Sequence, residues 1–194
     1  DVESTAPPGK SKAAANPKDP INPKKPRKEK PGKTKDFSNQ TLNHDFNKRD
    51  LSETTFERAD LGGSTFSETT FGLDTNFRGA NLSDVESLDW AALFKSGALI
   101  DKDTQFPEDL LKEGQITKAL ELGVTELEDK SQKLKSNVSE LREDLAKARA
   151  TKDKDSVLSL HKELSRLRMQ RKKMTRRAEG YMRLIEYFIS NSRS

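Results

Sequence analysis

The chain has 194 residues, of which 35% are charged, 31% hydrophobic and 6% aromatic. That length holds one or two small domains, and so low an apolar content excludes one large compact core. The complete lack of cysteine excludes a disulfide framework, a thiolate nucleophile and a cysteine-ligated metal site. Only His44 and His161 supply imidazole, from different segments, so neither a catalytic set nor a metal or cofactor site is expected. No apolar run approaches the roughly 18 residues that a membrane span needs. The first residue is Asp1 rather than Met, and no apolar signal core follows it, which predicts a processed or trimmed chain.

Charge divides the chain into three segments. Residues 1–36 carry ten Lys/Arg against five Asp/Glu, and seven of the eight prolines. The stretch containing Lys24, Lys25, Arg27 and Lys28 has no apolar area to offset its ordering entropy, so a disordered or extended basic tail is expected. Residues 37–106 hold twelve acids against six bases, and residues 107–194 hold twenty bases against fifteen acids. Such blocks predict segments with separate tasks.

In the acidic segment, apolar residues recur every five positions: Phe46, Leu51, Phe56, Leu61, Phe66 and Phe71, then after a slip Phe77 and Leu82. Two further slips carry the series to Leu88, Leu93 and Leu99. A small residue often stands two before each, and Asp, Asn or Thr often stands just before. A period of five fits neither a helix nor a strand; it fits a square coil that turns a corner at each repeat. The phenylalanines from Phe46 to Phe77 are expected to form its inner stack.

The stretches Thr54-Thr55-Phe56-Glu57-Arg58-Ala59-Asp60-Leu61 and Gly79-Ala80-Asn81-Leu82-Ser83 resemble pentapeptide-repeat proteins. The resemblance covers about a third of the chain and implies a right-handed quadrilateral β-helix of about three coils. The exit from Ser96 to Pro107 is similar to that of cyanobacterial and plastid members, which tilts the open question of compartment slightly toward theirs, with an exported or virion-processed protein as the alternatives. Some members of that family mimic duplex DNA and bind type II topoisomerases. A stub of three coils followed by a basic segment departs from that plan.

From Pro107 the period becomes helical, with Glu108 and Asp109 in the first turn. Leu120, Val124, Leu127, Ser131, Leu134, Val138, Leu141, Leu145 and Ala148 alternate at four- and three-residue spacing, the seam of a coiled coil. A polar cluster at residues 151–155 interrupts it, with Asp155 or Ser156 expected to cap a new helix. A second seam runs through Val157, Leu160, Leu164, Leu167, Arg171, Met174, Ala178, Tyr181, Ile185 and Phe188. The pair predicts an antiparallel hairpin; a continuous helix in an intermolecular coiled coil, and so a homo-oligomer, is the alternative. The expected class is therefore mixed, a β-solenoid followed by α-helices and preceded by the tail.

Between Lys162 and Arg183 stand nine bases and two acids. Heptad positions place Lys162, Arg166, Lys172, Lys173, Arg176 and Arg183 outward, with Arg168 and Arg177 flanking the seam. A one-signed ridge of this kind suits a polyanion: nucleic acid, anionic lipid or an acidic protein surface. Arg171 falls on the seam itself, which costs stability unless a carboxylate such as Glu128 or Asp129 reaches it; solvated acids are the equal alternative. Beyond Gly180, Tyr181, Met182, Leu184, Ile185, Tyr187, Phe188 and Ile189 are apolar on all sides, which predicts packing onto the rest of the chain or docking into a partner. The expected function is a non-enzymatic assembly subunit that contacts other proteins, with nucleic-acid binding and topoisomerase binding as the alternatives.

Overall fold

A computed structural model describes residues 35–191. The expected basic tail, with Lys24, Lys25, Arg27 and Lys28, lies outside the described residues except for its last two.

From Lys35 to Phe106 the chain folds as a layer of tight turns, and the reason is local. Asp36, Asp45, Asp50, Asp60, Asn76, Asn81 and Asp101 each accept the backbone amide two residues on, at 2.9 to 3.2 Å. At Asp50 the hydroxyl and amide of Ser52 hold the carboxyl below its ordinary range. One residue further, Asn39, Lys48, Gly63 and Gly79 take left-handed backbone, with φ of 58°, 58°, 73° and 64°. Successive windings meet through single parallel bridges, such as Asp45 with Thr65, Asp50 with Thr70 and Asp60 with Asn81.

These corners overturn the expected fold class. Among the described residues, regular strand is confined to β1 (Lys35–Asp36) and β2 (Thr54–Thr55), paired in parallel with Lys35 opposite Thr54. All other pairing in the layer is by isolated bridges, so among the described residues there is no β-helix, and the structure is mostly helical. Left-handed residues break the extended backbone before a ladder can lengthen. The five-residue spacing thus sorts side chains inward without making strands. Phe37, Phe56 and Phe77 stack at 5.3 and 5.0 Å, and Phe46 and Phe66 at 5.1 Å, with Leu42, Leu51, Leu61 and Leu82 buried among them. Buried Ser64, Thr75 and Thr104 hydroxyls donate to the carbonyls of Leu42, Leu51 and Phe77.

The apolar series does not continue regularly beyond Leu82. Helix α1 (Trp90–Ser96) takes its place, capped by Asp89 and closed by Gly97 at φ 77°. Leu93 is buried as a helical residue. After α2 (Glu108–Leu111), a 3₁₀ turn ending at Gly114 (φ 67°) leads into α3 (Gln115–Ala150). Helix α4 (Lys154–Asn191) returns along it. Arg149 meets His161, Ser131 meets Thr175 and Gly123 lies beside Tyr181, which fixes the pair as antiparallel. The cap stands at Asp153 and not at the expected Asp155 or Ser156: Ser156 donates its amide to Asp153 Oδ1 at 3.1 Å. The hydroxyl and amide of Ser156 hold the Asp153 carboxyl below its ordinary range.

The apolar core has two parts. The larger joins the turn layer, α1 and the near halves of α3 and α4, from Ile116 to Leu134 and from Met174 to Phe188. The smaller lies between the far halves, around Val138, Leu145 and Leu164, with Leu141, Val157, Leu160 and Leu167 against it.

Candidate polyanion interface on the helical hairpin

The basic ridge read from α4 is divided by the fold. Lys173 Nζ lies 2.9 Å from Asp74 of the turn layer. Arg177 donates to the Leu73 carbonyl at 3.3 Å, and its Nη1 is buried without a partner. Burial lowers the Arg177 pKa from its ordinary value; the guanidinium nonetheless stays protonated. These two cations tie α4 to the layer; Arg177 is largely withdrawn from solvent, while Lys173 stays half exposed beside Asp74. Arg166 lies 3.7 Å from Glu163. Lys162, Arg176 and Arg183 are exposed, as expected of outward positions.

Arg168, Arg171 and Lys172 stand elsewhere, on the flank where α4 faces α3. There they meet Lys135 and Arg142 of α3 across an open cavity of about 550 Å³, which Val138, Ser139 and Thr175 complete. Five cations and two hydroxyls line this groove, and no carboxylate does. Of the two readings of the seam arginine, the unpaired one holds: Arg171 forms no ion pair with Glu128 or Asp129. The groove lies where the two parts of the core separate, between Leu134 and Val138 on α3 and between Leu167 and Met174 on α4. An arginine on the seam leaves no apolar side chain to join them. Lys135 and Arg142 escaped the reading of the second helix alone, because they belong to the first.

The apolar end is half internal. Tyr181 is 1% exposed and donates its hydroxyl to the Ala98 carbonyl at 2.6 Å; burial pushes its pKa up. Leu184 is buried, while Ile185 and Phe188 pack against the same core, Phe188 edge-on to Phe106. Met182, Tyr187 and Ile189 are exposed, and Tyr187 borders a cavity of about 260 Å³ with Leu111, Ile116 and Phe188. The fold therefore assigns Tyr181, Leu184, Ile185 and Phe188 to packing within the chain, while the other three are exposed.

Among the described residues no helix is long and apolar enough to cross a membrane. Comparison with protein-family models, curated proteins and solved structures finds no match, so the resemblance to pentapeptide-repeat proteins has no relative in support.

Proposed function

We propose that this chain is a non-enzymatic assembly subunit, a rigid adaptor that works by contact with other proteins of a larger complex. The carrying observation is the apolar surface left at the base of α4. Met182 and Ile189, seven residues apart, and Tyr187 beside Leu111 are each 41 to 43% exposed. Exposed apolar side chains beside a cavity, as at Tyr187 and Leu111, suit a protein partner. Removing everything after Arg177 would not test this, because that cut deletes Tyr181 and Leu184 from the core.

The informative variant is Leu111→Ser/Tyr187→Ser, which changes only half-exposed side chains. The tagged chain, expressed in its native source, is sized with and without nuclease and at high salt of about 0.5 M. The expected result is a nuclease-resistant assembly that the wild-type chain joins and the variant does not. A free wild-type chain, or a variant that stays in the assembly, overturns the reading.

A further inference from the structure

The cations of the groove are part of a longer arrangement. On α3, Lys135, Arg142 and Arg149 follow at seven-residue intervals, so they lie in one file along the helix. On α4, Lys154, His161, Arg168 and Thr175 do the same in the opposite direction. Contacts across the hairpin show that both files border one flank. Arg142 and Arg168 share the groove, as do Lys135 and Thr175, and Arg149 Nη2 lies 2.9 Å from His161 Nε2. Arginine only donates, so the imidazole nitrogen accepts. Toward the tip a second open cavity is lined by Arg149, Lys152, Lys154, His161, Val157, Leu158 and Asp153. Asp153 is the one carboxylate among the residues lining the two cavities, and it is engaged in capping α4.

From the α3 positions, the track is about 21 Å long at 1.5 Å per residue. It joins both helices, and eight Lys or Arg side chains line its two cavities: Lys135, Arg142, Arg149, Lys152, Lys154, Arg168, Arg171 and Lys172. We infer that this flank of the hairpin binds the phosphate backbone of double-stranded nucleic acid, independently of base sequence. Three features favour that ligand. The track is straight and one-signed, whereas a compact anion would need only the groove. Its lining residues include no Phe, Tyr or Trp, and the one imidazole, His161, is held by Arg149, so it offers no row of rings for the unstacked bases of a single strand. Finally, Arg171 occupies a seam position where an apolar residue would unite the core, a placement that packing alone does not favour. This inference holds whether or not the base of α4 meets a protein.

The test is fluorescence anisotropy with the full chain and a fluorescein-labelled duplex of about 20 base pairs, in DNA and RNA forms, from about 50 to 200 mM salt. Engagement of five phosphates gives a log–log slope near −4.5, roughly a 500-fold loss of affinity over that range. Arg142→Gln/Arg168→Gln changes exposed side chains only. It is expected to flatten the slope by about two and to weaken binding at low salt by tenfold or more. Lys162→Gln/Arg166→Gln, on the outward face, is expected to leave both nearly unchanged. Arg171→Leu should weaken binding several-fold while raising the melting temperature, a pair of signs that a merely structural arginine would not give. Equal duplex affinity for the wild-type chain and Arg142→Gln/Arg168→Gln overturns the inference. So does an effect of that variant seen only with phosphatidylserine vesicles.

Discussion

Tyr181 shows how one side chain couples packing to a hydrogen bond. Its ring closes against Phe94 at 6.0 Å, and its hydroxyl satisfies the buried carbonyl of Ala98. Tyr181→Phe keeps the ring and strands that carbonyl, at a cost of about 1 to 3 kcal/mol. The pKa of Tyr181 is raised, because burial opposes the phenolate. Its stability contribution is therefore complete below the unfolded tyrosine value of about 10 and is lost as pH rises above it. Denaturant melts at pH 8 should show the variant less stable, and melts near pH 11 should show the gap narrowed. A gap of constant size would contradict the assignment. Arg177, one turn before, has the opposite character: a charge half withdrawn from water with one nitrogen unpaired. It is poorly placed to meet a ligand, although the sequence alone ranks it beside Arg168.

At the scale of the element, α3 and α4 each carry a glycine that helix propensity disfavours. Their environments differ. A Cβ at Gly123 would stand 2.9 Å from the Phe94 carbonyl oxygen and 3.0 Å from the Tyr181 ring. Gly123 is thus the position that lets α3 approach α1 and α4 closely. A Cβ at Gly180 would meet nothing within 4 Å. Gly180→Ala is expected to stabilise by about 1 kcal/mol. Gly123→Ala should destabilise, since overpacking costs about 1 to 3 kcal/mol and exceeds the same propensity gain. Thermal melts of the two single variants should move in opposite directions. A parallel shift would mean that α3 is not seated on Phe94 as described.

Across residues 35–191, stability is distributed unevenly. The near halves of α3 and α4 share a core with the turn layer, while the far halves hold each other through three buried apolar residues and four partly buried ones. Few buried contacts mean a lower cost of local opening. Hydrogen exchange is expected to be faster for amides of 138–150 and 157–167 than for those of 116–127 and 178–185. Uniform protection along both helices would show the hairpin to be one cooperative unit. The same unevenness bears on function. The end that carries the basic track is the less constrained one, and the end with the exposed Tyr187 and Leu111 is anchored.

Much of this architecture is local and therefore legible along the chain. The α3 seam from Leu120 to Ala148 is buried or half-buried throughout, because a heptad pattern needs only helical geometry to define its face. The Asp and Asn residues of the middle segment turn the chain through bonds to amides two residues away, and the phenylalanines spaced by five are buried together. The resemblance nevertheless misled on the fold class. Inward spacing says which side chains share a core, and the length of each strand depends on backbone angles at the corners. The candidate site needed tertiary structure for a related reason. Lys135, Arg142 and Arg149 are visible as a file, but their juxtaposition with His161 and Arg168 depends on where the turn at Thr151 to Asp153 sets the register. Contact with the turn layer likewise separates Lys173 and Arg177 from their neighbours. Charge and periodicity are properties of the chain, whereas which of two equally charged faces meets water is decided by what packs against the other.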